Sequence, residues 1–217
     1  MGYNGFLKNK KILITCGPTW VCIDPVRVIS NISSGELAHQ ISELLYREKA
    51  DITLLEGPVT HQQKHGRIKI IPFKYFHELE QLLKQHLRKR HYDIVIHAAA
   101  VSDYKVKHSS FKKIKSNLPS LRINLTQTPK LISQIKKIDP NVFLVGFKLE
   151  TNSNKKILLQ KTKNLITETQ CDLIIANMIN KNRYNAFIVD KKGSILARAN
   201  SRKKIAQGLI KTLKDNL

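Results

Sequence analysis

Lys11-Ile-Leu-Ile-Thr15, running into Cys16-Gly-Pro-Thr19, is the stretch whose reading decides the fold. A short apolar run ending in a Gly/Pro turn predicts a buried parallel strand that delivers a loop to the edge of an open sheet. Ligands bind at that edge in such folds. The loop carries Asp24-Pro-Val-Arg27 and Asn31-Ile-Ser-Ser-Gly35, after which Leu37, Ile41, Leu44 and Leu45 recur at helical spacing. Ser33, Ser34 and Gly35 are therefore expected to open a helix, whose free N–H groups and positive dipole end favour an anionic group such as phosphate. An ordinary Ser N-cap on a surface helix would use the same residues.

Outward from this strand, apolar runs alternate with amphipathic stretches. The pattern predicts strands over 11–16, 51–56, 68–72, 92–98, 142–147 and 171–176, and helices over 34–48, 75–90, 129–138 and 154–168. A polar stretch, 105–120, interrupts the alternation. The end of the chain changes character: Tyr184–Asp190 and Ser194–Arg198 about Lys191-Lys-Gly193 read as a hairpin, and Ser201 caps a last helix to about Lys214. With no internal repeat and no linker, the 217 residues are expected to form a single Rossmann-like domain. The fold class is α/β: a doubly wound, mainly parallel sheet with helices on both faces and a C-terminal hairpin plus helix.

Composition narrows the function classes. No run is long enough to span a bilayer and the first residues lack an apolar signal core, so a cytoplasmic protein is expected. Cys16, Cys22 and Cys171 are odd in number and without metal-ligand spacing; they read as free structural thiols, and no protein metal site is expected. The formal charge of +22 is compatible with a nucleic-acid binder, but the lysines and arginines are spread along the whole chain and aromatic residues are few. Non-specific binding to nucleic acid is the most this predicts.

Further strand ends bring chemistry to the same edge. The fourth strand ends in His97-Ala-Ala-Ala-Val-Ser-Asp103-Tyr104, where small residues let a bulky ligand approach the backbone and Asp103 can accept hydrogen bonds. Phe111-Lys-Lys-Ile-Lys115 is a basic cluster on a loop, either solvated or able to close over phosphates. The fifth strand ends in Val145-Gly-Phe147, whose ring can stack on a base or fill the core, and the sixth ends in Ile174-Ile-Ala-Asn177.

Taken together, Asp24–Arg27, Asn31–Gly35, Ala98–Tyr104, Lys113–Lys115, Gly146–Thr151 and Asp172–Asn177 resemble the phosphopantothenoylcysteine synthetases, or phosphopantothenate-cysteine ligases, in order and spacing over nearly the whole chain. The resemblance implies activation of the 4'-phosphopantothenate carboxylate by CTP or ATP as an acyl nucleotidylate, then amide formation with L-cysteine. By similarity, Gly17, Ser33, Gly35, Phe147 and Asn177 would hold the nucleotide and Lys113 would reach its phosphates. Asn31 would bind phosphopantothenate and stabilise the acyl intermediate, Arg27 would support its loop, and Ala99, Ala100 and Asp103 would line the substrate pocket. Mg2+ would accompany the triphosphate, no flavin is expected, and a homodimer is implied.

The sequence departs from the family pattern at Pro18, Glu36, Ala38 and Thr128-Pro-Lys-Leu131, and either Lys161 or Lys163 would be the distal lysine. A dinucleotide-dependent oxidoreductase is the main alternative. It would need Gly-x-Gly-x-x-Gly after the first strand, which Cys16-Gly-Pro-Thr19 does not supply, although Glu56 could mimic its acidic partner.

Overall fold

The computed structural model describes residues 6–60, 68–181 and 183–217. In chain order the elements begin with β1 (Lys11–Cys16), the hairpin strands β2 (Trp20–Asp24) and β3 (Arg27–Ser30), α1 (Glu36–Arg47), β4 (Asp51–Glu56), β5 (Lys69–Pro72), α2 (Phe76–Lys89) and β6 (Ile94–His97). They continue through β7 (Tyr104–Val106), β8 (Leu125–Gln127), α3 (Ile132–Ile138), β9 (Phe143–Thr151), α4 (Lys155–Thr169), β10 (Leu173–Asn180), β11 (Arg183–Asp190), β12 (Ile195–Ala199) and α5 (Arg202–Asn216).

Eight strands form one sheet in the order β12-β11-β10-β9-β6-β1-β4-β5. The strands from β10 to β5 run parallel, whereas β11 and β12 add to β10 as an antiparallel hairpin. Alternation along β1 explains the layers. Ile12, Ile14 and Cys16 face one side with Ile41 and Leu45 of α1 and Leu209 and Leu213 of α5. Leu13 faces the other side, with Leu79 and Leu83 of α2, Ile135 of α3 and Leu158 of α4. Each fully buried Leu or Ile contributes about 1.5–3 kcal/mol relative to exposure, so the two cores rather than the surface charges hold the sheet.

The predicted fold class is therefore found, with corrections in detail. The helix expected from residue 34 begins at Glu36, because Gly35 caps it in the left-handed conformation (φ 73°) and no side chain caps it. Ser34 contributes only a 3.4 Å acceptor for the Glu36 amide. The β2–β3 and β7–β8 hairpins lie where loops were expected; β7 pairs with a strand that begins 19 residues after its own last residue, too far for a local signal. Strands β9 and β10 also outlast the predicted 147 and 176, since the polar residues Lys148, Glu150 and Asn180 continue the ladder beyond the apolar run.

Candidate active site

From β1 the chain builds outward to β4 and β5, then crosses through α2 to lay β6 on the other side of β1. The gap between β1 and β6 is thus the topological switch point, where the two loops diverge and leave a crevice. The loops are tied where they leave the sheet. Ala98 N donates to Thr15 O (3.1 Å), Ala100 N to Gly17 O (2.8 Å) and Thr19 N to Ala100 O (3.4 Å). This ladder asks no donor of Pro18, so the proline is accommodated at the bridge it makes with Ala100. Thr19 Oγ1 accepts from Ser102 N (2.9 Å) and Thr128 Oγ1 donates to Ser102 O (2.7 Å), which joins the third loop to the first two.

Two neighbouring cavities open here. The larger, about 290 Å³, lies between the start of α1 and the ends of β9 and β10; Ser33, Gly35, Ala99, Ala100, Phe147 and Asn177 are on its wall. Ala38 also faces it, so the methyl that departs from the family pattern occupies the crevice wall. The smaller, about 170 Å³, is lined by Asp103, Thr128, Lys130 and His97. Ala99 and Phe147 belong to both walls. Gly17, at φ 77°, has no room for a side chain: a Cβ would lie 2.8 Å from Val59 Cγ1.

The polar groups are arranged by partners. Tyr184 Oη donates to Asn177 Oδ1, and the Asn177 amide donates to Ile175 O at 3.3 Å. Burial pushes the Tyr184 hydroxyl up to about 12, Arg202 opposing and Glu36 adding to the shift, so it is a donor at neutral pH. Arg202 stands 5.4 Å over the Tyr184 ring and pairs with Glu36 at 3.3 Å. Glu36 in the first turn would repel an anion from the α1 N-terminus, and Arg202 offsets that charge.

In the smaller cavity, Lys130 pairs with Asp103 at 2.7 Å. His97 Nδ1 lies 3.0 Å from Thr15 Oγ1, which also accepts from Ala99 N at 3.1 Å. The hydroxyl can donate to Nδ1 or accept from it, so the contact positions the ring in either tautomer. Burial holds the His97 pKa down to about 4, which keeps the ring neutral.

Asn31 sits on the rim with both amide protons committed, to Ala100 O (3.2 Å) and Val101 O (3.1 Å). Two carbonyl partners leave its side-chain oxygen as the face it can offer to a ligand. Arg27 does not line either cavity. Its guanidinium donates to Asp24 Oδ2 (2.6 Å) and to Ile114 O (3.1 Å), and Ile114 N returns a bond to Asp24 Oδ2 at 3.1 Å. Burial opposes the Asp24 charge, but the amides of Val26, Ile114 and Arg27, together with the Arg27 charge, outweigh it and hold this carboxyl below the usual carboxylate range. Asp24 thereby latches the basic loop onto the β2–β3 hairpin. Lys113, exposed beside the latched Ile114, lines neither cavity.

The structure thus brings together Ser33, Gly35, Ala99, Ala100, Phe147 and Asn177, with Gly17, Asn31 and Asp103 at the margins, and leaves Arg27 and Lys113 on the adjoining loop. Lys161 reaches Glu150 of β9 (2.7 Å), while Lys163 packs against Gly193 in the β11–β12 turn. Tyr184 and Arg202 escaped sequence reasoning, because nothing in the pattern of a C-terminal hairpin and helix says that they fold back over the crevice. His97 was visible only as the last residue of a strand. The Cys16 thiol is buried, and burial followed by the Glu56 charge pushes it well above the ordinary range, so it is no nucleophile.

Residues 7–216 match the family described as the DNA/pantothenate metabolism flavoprotein C-terminal domain. The chain is 36% identical over 174 residues to the coenzyme A biosynthesis bifunctional protein CoaBC of Thermococcus kodakarensis, covering 80% of this chain and 42% of that protein. It is 37% identical over 176 residues to the protein of the same name from Borreliella burgdorferi, covering 79% and 43%. It thus spans less than half the length of these curated relatives. The crystal structure of the DNA/pantothenate metabolism flavoprotein from Streptococcus pneumoniae superposes with a TM-score of 0.84 at 27% identity, covering 96% of this chain and all of that one. The loops tied across the β1–β6 switch point are thus carried by a sequence and a backbone with known counterparts along nearly their whole length, and the chain belongs to the DNA/pantothenate metabolism flavoprotein C-terminal domain family.

Proposed function

We propose that the chain is a phosphopantothenate-cysteine ligase acting in coenzyme A synthesis, the pathway named in the descriptions of its relatives. The carboxylate of 4'-phosphopantothenate attacks the α-phosphorus of CTP or ATP, pyrophosphate leaves, and the amine of L-cysteine displaces the nucleoside monophosphate to form the amide. The observation that carries this reading is the pair of cavities sharing Ala99 and Phe147. A ligase must hold an acid and a nucleotide in contact, and two small adjoining sites with a common wall supply that proximity.

In this reading the α1 N-terminus, with Ser33 and Gly35, receives phosphates, Gly17 keeps the turn beneath them tight, Phe147 packs the base and Asn177 fixes its edge. Ala99, Ala100 and Asp103 receive the acid, and Asn31 offers its oxygen to the incoming amine or the acyl group. Lys113 acts from the latched loop on developing phosphate charge, with Arg27 holding that loop in place. Mg2+ would supply charge neutralisation to the triphosphate and would arrive with it. A second copy of the chain is the proposed partner.

The rival oxidoreductase reading loses its acidic ribose ligand, because Glu56 is buried at the end of β4 and bonded to His39 at 2.7 Å. The deciding experiment mixes protein, 4'-phosphopantothenate, L-cysteine and Mg2+ with CTP or ATP and follows pyrophosphate. Release that requires phosphopantothenate and yields the cysteine adduct is expected with one nucleotide; silence from folded protein with both would reject the ligase.

A further inference from the structure

Beneath the crevice floor lies a cluster that the proposed ligase chemistry does not use. Cys16 ends β1 and Glu56 ends β4, and the parallel register sets these two residues directly opposite each other. His39 reaches them from the second turn of α1. The thiol is fully buried; the His39 and Glu56 side chains are 13% and 4% exposed and lie 2.7 Å apart. One donor atom from each of the three falls within 4.8 Å of the others. Read singly, the cysteines gave no hint of this, because the trio is assembled from three elements and has no sequence spacing.

We infer that Cys16, His39 and Glu56 form a binding site for a thiophilic divalent cation of the Zn2+ class. A tetrahedral ion with Zn–S near 2.3 Å and Zn–N or Zn–O near 2.0–2.1 Å needs donors roughly 3.3–3.6 Å apart, a separation that small rotations of His39 and Glu56 supply. Thiolate and carboxylate together balance a 2+ charge in a site where an uncompensated ion would be costly. Sulfur and nitrogen donors disfavour Mg2+ and Ca2+, which take oxygen. Two strands and a helix fix the donors in advance, and three protein ligands leave a fourth position for water. Binding exchanges the Cys16 thiol proton for the metal, and the proton held between His39 Nε2 and Glu56 Oε1 moves to Nδ1 or to solvent, so one or two protons are released for each ion bound.

The site touches the crevice. Cys16 Sγ donates to Gly35 O at 3.6 Å, and a Cβ built on Gly35 would lie 2.7 Å from that sulfur and 3.4 Å from His39 Cε1. A thiolate has no proton to give, so metal loading removes the thiol's bond to the residue that caps α1.

Co2+, with its visible and near-ultraviolet spectrum, is the probe. Titrating it into the reduced full chain should give one equivalent bound with a thiolate-to-cobalt charge-transfer band, displaced by Zn2+. Cys16→Ser should abolish the band, whereas Cys22→Ser and Cys171→Ser should keep it. His39→Gln, checked for folding by circular dichroism, should weaken binding about tenfold or more, as even supporting residues of metal sites commonly do. A wild-type chain with no charge-transfer band, a band that survives Cys16→Ser, or unchanged affinity in folded His39→Gln would each overturn the site. If Cys16→Ser does not fold, the His39→Gln comparison decides alone.

Discussion

Asn31 is held by the two carbonyls it bonds on the 98–103 loop, so its truncation removes both a ligand-facing oxygen and a tie between loops. Asn31→Ala should lower turnover by about 100-fold, the scale of losing one aligned polar group at a reacting centre. Its melting curve should stay close to wild type; a wild-type rate in the pyrophosphate assay would remove Asn31 from the mechanism. Asp24 works on stability instead. Its folded pKa lies below the ordinary 3.8, so at pH near and below 3.8 the unfolded chain binds the proton first. The latch therefore contributes fully above that pH and is lost as pH falls through the lowered value. Denaturant unfolding from pH 6 to pH 3 should show a shallower acid loss in Asp24→Asn than in wild type, from a lower starting stability. Among these residues the sequence announced Phe147 and Asn177, because each lies at the end of a recognisable apolar run, and Asn31 through the resemblance carried by Asn31–Gly35. It could not announce that Arg27 spends its charge on Asp24, since that pairing depends on the tight turn joining β2 to β3.

At the scale of elements, the turn into α1 depends on a backbone that only glycine adopts cheaply. Gly35→Ala would combine the left-handed φ of 73° with a Cβ 2.7 Å from Cys16 Sγ and 2.9 Å from Val59 Cγ1. A loss of about 1–2 kcal/mol from the conformation alone is expected, with more from the contact, read as a lower urea midpoint. An unchanged midpoint would mean that the turn relaxes freely. The basic loop makes a contrasting case. Lys113 is exposed, so Lys113→Ala should slow pyrophosphate release while leaving the midpoint unmoved; a wild-type rate would take the loop out of the chemistry. Strands β1, β4, β6, β9 and β10 were legible because strands buried on both faces read as continuous apolar runs. In the β2–β3 hairpin the apolar Trp20–Ile23 follows straight on the Gly-Pro turn and its partner β3, with Arg27 at its start and Val28 and Ile29 partly exposed, has no such run, so the pair read as loop.

For the whole molecule, the excess of 38 basic over 16 acidic residues creates a field without a recognition element. Binding to duplex DNA should be weak and fall steeply as salt rises, and fluorescence anisotropy across a salt series measures it. Tight, sequence-selective binding at physiological salt would contradict a metabolic role for the charge. Among the described residues no helix is long and apolar enough to cross a membrane. The doubly wound order also has a temporal side. The two cavities draw on the start of α1, on the 98–103 loop, on Phe147 and Asn177, and finally on Arg202, so their walls are scattered across most of the chain. At roughly 5–20 residues per second of synthesis, on the order of ten seconds or more separate the emergence of the first wall from that of the last. A nascent chain paused at β6 owns the Gly-Pro turn but nothing opposite it. A molecule that needs every wall of this crevice meets them together only after α5 has been made, so its stabilising effect would fall on the finished fold and not on the growing chain.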